Sequence, residues 1–166
     1  MDYIRGIQTP LGPMTMASDG EALTGLWFDG QKYDRAHLSE DVREQDLPVF
    51  AECAAWLKEY FSGRDPGFIP ALHLRVTPFQ REVLNILQNI PYGKTMTYGQ
   101  IAALLAKQLG KKTMSAQAVG SAVGHNPVSL IIPCHRVIGA DGSLTGYAGG
   151  IDKKRSLLEM EGVHLQ

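Results

Sequence analysis

Apolar and polar positions along the N-terminal stretch fall into short runs, YIRGI, MTMAS and ALTGLWF, separated by TPLGP and SDGE and closed at Asp29-Gly30. Runs of this length bounded by Pro, Gly and Asp predict a meander of short strands. After a charged stretch, VFAECAAWLKEYF (49–61) sets Val49, Cys53, Trp56, Leu57 and Tyr60 at helical spacing. Cys53 then lies on the buried stripe of a helix, as a structural thiol. The segment FSGRDPGFIPALHLRV is rich in Gly and Pro and has no helical period. It predicts a boundary between an N-terminal domain over 1–73 and a C-terminal domain over 74–166.

The pattern beyond the boundary is helical. Thr77 as N-cap, Pro78 at the first helical position and Gln80 in a capping-box position start one helix, with Phe79, Val83, Leu87 and Ile90 as its apolar face. IPYGKTMT breaks it. Tyr98 to Leu109 forms the next helix, with Ile101, Leu104 and Leu105, and a third short one covers MSAQAVGSAVG after GKKT. Two helices joined by a short Gly-containing connection fit a helix-turn-helix. On the third helix Ala116, Val119, Ala122 and Val123 share one side, while Gln117, Gly120, Ser121 and Gly124 lie opposite. Glycine costs about 1 kcal/mol in a helix interior, so this nearly bare face implies close approach of something, a neighbouring helix or a nucleic-acid groove.

Composition narrows the classes. The chain has 166 residues, 44% of them apolar, no apolar run of membrane-spanning length, and a start that lacks the basic and apolar regions of a secretory signal. A cytoplasmic protein is expected, with no membrane partner. Cys53 and Cys134 are too few for a disulfide framework, and no Cys or His pair has zinc-ligand spacing. Adjacent Cys134 and His135 are awkward joint ligands, so neither a metal nor another cofactor is expected. The net charge of −1 conceals an asymmetry: through His73 there are 6 Lys/Arg against 12 Asp/Glu, and from Leu74 on 10 against 5. A basic second half suits a polyanion such as nucleic acid; mutual attraction of the halves, or differing solvated faces, explains it equally well.

The candidate chemistry lies in SLIIPCHRVIGADG (129–142). Pro133 favours extended chain at Ile132, so the apolar segment is expected to deliver Cys134 at its end. A reactive thiol needs a nearby cation or a base, and partial exposure, and His135 can supply the base, directly or through a water. In IDKKRSLLEMEG, Leu157, Leu158 and Glu161 share one helical side, and a carboxylate on an apolar stripe needs a partner such as a histidine proton. Cys134, His135 and Glu161 thus form a candidate nucleophile, base and orienter, against the alternative of a buried thiol beside a surface imidazole.

The motifs IPCHRV and GYAGGIDKKRSLLEMEG, with GHNP eight residues before the cysteine, closely resemble the O6-alkylguanine-DNA alkyltransferases. The resemblance covers the basic half from about residue 74; the acidic half matches in its strand-and-helix plan. It implies an α/β N-terminal domain with a small ribonuclease H-like sheet plus helix, and a mainly α, winged-helix-like C-terminal domain with a helix-turn-helix whose second helix enters the minor groove of double-stranded DNA. A damaged guanine is rotated out of the stack into a site beside the cysteine. Carried over, Cys134 is the alkyl acceptor, His135 the base acting through a water, and Glu161 the carboxylate orienting it. Asn126 holds the turn before the active-site strand. Tyr98 presses on the flipped nucleotide's phosphate and protonates the leaving guanine. Val123, the Val137 backbone, Tyr147 and the Ala148 backbone form the base site, with Lys154 nearby, and Gln117, Gly120, Ser121 and Tyr98 meet DNA. Arg136 is expected to form an interdomain salt bridge. The implied activity is irreversible, single-turnover transfer of a methyl or larger alkyl group from O6-alkylguanine, with O4-alkylthymine as a possible further substrate, by a monomer.

The chain departs from the family where an arginine normally fills the space of the flipped base, because Gln117 stands there. Glutamine loses the guanidinium's stacking and its attraction to phosphate, which shifts DNA affinity toward Lys107, Lys111 and Lys112 between the helices. Two rival functions remain at this level. One is a non-catalytic alkylated-DNA-binding relative, which would replace the cysteine that is present here. The other is a cysteine hydrolase built on Cys134, His135 and Asn126, for which no oxyanion-hole motif is visible.

Overall fold

The computed structural model describes residues 1–165, which divide into two compact units. The first comprises Met1–Arg75 with Pro127–Ser129; the second comprises Val76–Asn126 and continues from Leu130.

In the first unit, β1 (Asp2–Thr9), β2 (Gly12–Ser18) and β3 (Leu23–Phe28) form, in the order β3-β2-β1, the antiparallel meander that the short runs and their turn residues predict. The turn between β2 and β3 is fixed by Asp19, whose Oδ1 accepts from the backbone N–H of Glu21 and Ala22 at 3.0 Å each. The fourth strand, β4 (Val42–Glu44), was hidden in a charged stretch; it pairs parallel to β1. All six residues of β3 are buried, and its outer side is covered through single bridges to Leu72 and Val128. That covering leaves no unpaired strand edge there to recruit another chain. It also explains why Pro127–Ser129, distant in sequence, packs with this unit. Helix α1 (Pro48–Phe61) lays Val49, Phe50, Cys53, Trp56, Leu57 and Tyr60 into the core, and Trp56 stacks on Tyr60 with centroids 5.1 Å apart. Buried Cys53 has its thiol pushed up to about 12 by desolvation, an inert structural thiol as expected. Asp2, 1% exposed, is neutralised by a two-pronged ion pair with Arg75, at 2.7 Å through each terminal nitrogen.

The second unit is helical: α2 (Pro78–Gln88), α3 (Tyr98–Gln108), α4 (Ala116–Gly124) and α5 (Ile151–Met160). Thr77 caps α2 by accepting from the Gln80 N–H at 3.1 Å. The expected capping box is only half made, because the Gln80 side chain donates instead to the His125 carbonyl at 3.0 Å, tying α2 to the end of α4. A complete capping box occurs at α3, between Thr97 and Gln100. Helices α2, α3 and α4 pack on one another around Val83, Leu87, Ile101, Leu105, Val119 and Val123. Ala116, placed on the inner face by spacing, is exposed, because α4 begins there and Val119 is its first buried residue. A two-residue parallel ladder joins β5 (Met96–Thr97) to β6 (Val137–Ile138), fixing the start of α3 beside the segment that follows Cys134. Among the described residues no helix is long and apolar enough to cross a membrane.

Candidate active site

The approach to Cys134 differs from the expected strand. Leu130 adopts a left-handed conformation (φ 71°), which turns the chain after Ser129. Pro133 (φ −82°, ψ 65°) then forms a tight inverse turn in which the Cys134 N–H donates to the Ile132 carbonyl at 2.8 Å. Cys134–Arg136 is a single 3-10 turn. Proline's fixed φ permits that turn at Pro133 itself, whereas its bias of Ile132 toward extended chain had suggested a strand running up to Cys134. The Asn126 Nδ2 donates to the same Ile132 carbonyl at 2.8 Å, which ties the chain just after α4 to this turn.

Glu161, the C-cap residue of α5, is the centre of the polar cluster. Its carboxylate accepts from His135 Nε2 (2.6 Å), Arg136 Nε (2.8 Å), Arg136 Nη2 (3.2 Å) and the Gly93 N–H (2.9 Å). These bonds match a carboxylate's accepting capacity, which is why the charge can be buried. Against the opposing effect of desolvation, His135 and Arg136 hold its carboxyl down to about 2. Arg136 further donates to the Ile90 carbonyl at 2.7 Å. The expectation that Arg136 forms an interdomain salt bridge is therefore corrected: its ion-pair partner is Glu161, in its own unit. The 3-10 turn swings both His135 and Arg136 to one carboxylate, and spacing alone gave no sign of it.

His135 is fully buried rather than a surface imidazole, and burial keeps its pKa below the usual value despite Glu161. Glu161 is already balanced by Arg136, so the imidazole rests neutral. With Nε2–H given to Glu161, Nδ1 is the basic nitrogen. Cys134 is buried, 6% exposed, against the expected partial exposure, and desolvation raises its thiol above the ordinary value. A hydrogen bond from the Asn126 side chain and the nearby Lys154 ammonium pull the other way. The resting residue is therefore a thiol whose thiolate has helpers already in place.

Lys154 is fully buried in the first turn of α5, its Nζ donates to the Thr145 carbonyl at 3.0 Å, and burial lowers it to about 8. Tyr98, half-buried at the start of α3, donates to the same Thr145 carbonyl at 3.1 Å. The Lys154 Nζ stands 6.0 Å from the Tyr98 ring centre. Tyr147 is buried, and its hydroxyl has no hydrogen-bond partner among the described residues. Burial, with the neighbouring Cys134, raises both phenols, so each keeps its proton near neutrality. Val123 and Val137 are buried and Ala148 is half-buried. Gln117 and Ser121 are exposed on α4, while Gly120 and Gly124 are half-buried. A Cβ at Gly120 would only touch Tyr98 at 4.0 Å and one at Gly124 would meet open space, so neither glycine is needed to admit a neighbouring helix.

Two participants escaped the sequence reading, the Thr145 carbonyl and Gly93. Backbone carbonyls leave no residue-type signal. Gly93 had one, a glycine directly after Pro-Tyr: its φ is 78°, and a Cβ there would lie 3.1 Å from the Glu161 carbonyl oxygen.

Residues 3–69 match the ribonuclease-like domain and residues 78–163 the DNA binding domain of 6-O-methylguanine DNA methyltransferase. A methylated-DNA–protein-cysteine methyltransferase of Mycobacterium tuberculosis is 45% identical across 97% of this chain and 93% of its own. One from Methanosarcina acetivorans is 41% identical across 96% and 98%. The crystal structure of the Mycobacterium tuberculosis protein OGT in complex with DNA superposes with a TM-score of 0.81, at 44% identity over 96% of this chain and 92% of that one. The O6-methylguanine-DNA methyltransferase of Pyrococcus kodakaraensis gives a TM-score of 0.61 at 30% identity over 98% and 100%. With both units matched in order and a buried Cys-His-Glu arrangement in the second, this chain belongs to the 6-O-methylguanine DNA methyltransferase family.

Proposed function

We propose that this protein repairs DNA by direct damage reversal, moving the alkyl group of O6-alkylguanine onto Cys134. The observation that carries the reading is the 2.6 Å contact of buried His135 Nε2 with Glu161, in the residue next to a buried thiol. Glu161 selects the tautomer in which His135 Nδ1 accepts, and it stabilises the imidazolium formed when the thiol proton moves there through a water. The sulfur attacks the alkyl carbon in line as the carbon–O6 bond breaks. The bonding pair leaves with the guanine, which takes a proton from the Tyr98 hydroxyl; the proton held on His135 then returns to Tyr98 through solvent. Lys154 supplies positive charge beside the sulfur during attack. The product is a thioether, a very poor leaving group, so one molecule repairs one base.

DNA is read by α4 from the minor groove, with Gln117, Gly120 and Ser121 toward it and Tyr98 at the extruded nucleotide. The region 74–166 carries DNA binding and transfer, and Val123, Val137, Tyr147 and Ala148 line the base site. The protein works as a cytoplasmic monomer on alkylated duplex DNA. Incubation with a duplex containing O6-methylguanine, followed by peptide mass mapping, tests this. One added methyl on the Cys134 peptide, absent in Cys134→Ala, is the expected outcome. Binding of intact lesion without transfer would instead mark a recognition protein, and neither binding nor transfer would reopen hydrolase chemistry.

A further inference from the structure

The face just described does not account for a second feature of the helix-turn-helix. Between Glu82 and Asp141 the chain contains no Asp or Glu. Within that span a groove of about 580 Å³ runs between α3 and the segment leading into α4. Its rim carries Lys107, Lys111 and Lys112, and its floor includes Ala103, Ala106 and Met114. None of the three lysines makes an ion pair or a side-chain hydrogen bond among the described residues. Unpaired like charges gathered on one groove repel one another, and no acidic residue of this unit's helix-turn-helix offsets them. The arrangement costs stability unless an anion takes the place of the absent carboxylates.

The position of the groove indicates which anion. Its lining includes Gly99, adjacent to Tyr98, and Ala116, adjacent to Gln117. It therefore borders the proposed DNA-reading face at two of its residues. We infer that the Lys107–Lys111–Lys112 groove holds the phosphodiester backbone of the same duplex, flanking the lesion, as a second DNA site separate from the recognition face of α4. The inference rests on the alkyl-transfer reading above. A run of phosphates spaced along a strand suits three separate ammonium groups, each a point charge with freely rotating donors. The small apolar floor suits deoxyribose. The contribution is independent of base sequence and of the lesion, and it supplies the phosphate attraction that Gln117 lacks.

The test is the salt dependence of DNA binding by the full chain, with Lys107→Ala/Lys111→Ala/Lys112→Ala and the matched triple Lys→Arg variant. Three lost phosphate contacts lower the slope of log affinity against log salt by ~2.7. Between 50 and 200 mM salt the parent protein then loses roughly 40-fold more affinity than the alanine variant, and the arginine variant behaves as the parent. Equal effects on damaged and undamaged duplex are expected. The lysines are exposed and the alanine variant relieves their mutual repulsion, so a melting temperature no lower than the parent's checks that the variants are folded. An alanine variant that keeps the full slope overturns the inference, as does one that keeps the slope but loses binding to polyglutamate, which would assign the groove to an acidic protein. Both of those results leave methyl transfer by the parent protein intact; a parent protein that transfers no methyl would instead refute the underlying reading.

Discussion

Glu161 accepts four hydrogen bonds from three residues, so its removal has consequences beyond orientation of the histidine. Glu161→Gln leaves the buried Arg136 guanidinium without its counter-charge, a loss of about 3–5 kcal/mol in such settings. Chemical denaturation of the variant should show a loss of that order, with methyl transfer slowed as well. The same carboxylate sets part of the acid response. Its folded value is held near 2 against 4.5 when unfolded, so its stabilisation is complete above pH 4.5 and disappears as pH falls toward 2. His135 is lowered from 6.5, so below that pH the unfolded chain takes up a proton that the folded chain refuses. Both effects have the same sign. Stability should fall from pH 6.5 downward and more steeply below 4.5, with Glu161→Gln reducing the lower part; a flat profile over that range would contradict the assignment. Lys154 behaves oppositely. Between about 8 and 10.5 the unfolded chain holds the proton and the folded chain does not, so stability gains with pH there, and Lys154→Met should remove the gain in denaturation curves.

At the scale of elements, α4 presents a face with open space at Gly124 and only the Tyr98 side chain near Gly120, and with Gln117 at its exposed start. Gln117→Arg adds a planar cation that stacks and attracts phosphate. Duplex affinity, measured by fluorescence anisotropy, should rise in the variant; unchanged affinity and repair rate would show that position 117 is not at the DNA. The helices themselves were legible because apolar spacing and caps coincide: Thr77, Pro78 and the face through Val83 and Leu87 all point to one start. Partner choice was not legible. Gln80 satisfies local capping rules, yet its side chain bonds the His125 carbonyl, a contact that exists only once α2 and α4 are packed. The strand β4 was missed for a related reason: Val42–Glu44 has little apolar character of its own and is a strand because β1 offers it a ladder.

At the scale of the whole molecule, the chemistry sets a limit on turnover. A thioether on Cys134 has no residue nearby to cleave it, so methyl transferred against time should plateau at one equivalent of protein and show no second phase when lesion is in excess. The charge asymmetry of the two halves now has one concrete part, the acid-free span from Glu82 to Asp141 that contains the entire helix-turn-helix. The chain does not divide cleanly into halves, however. Pro127–Ser129 returns to the first unit and covers β3, in the few residues that separate Asn126 from the acceptor turn.

By itself the sequence determined the helices, the meander and the pairing of His135 with Glu161, and it marked Cys134 as the candidate acceptor. Local spacing, caps and the IPCHRV motif are properties of neighbouring residues, and they survive folding unchanged. Only the tertiary structure decided the path into SLIIPCHRVIGADG: a left-handed Leu130, a tight turn at Pro133 and a 3-10 turn in place of a strand. It alone assigned Arg136 to Glu161, made the Thr145 carbonyl a common acceptor for Tyr98 and Lys154, and buried the thiol. These depend on groups far apart in the chain meeting in a medium without water, where each polar atom takes the partner within reach, and no local pattern encodes that meeting.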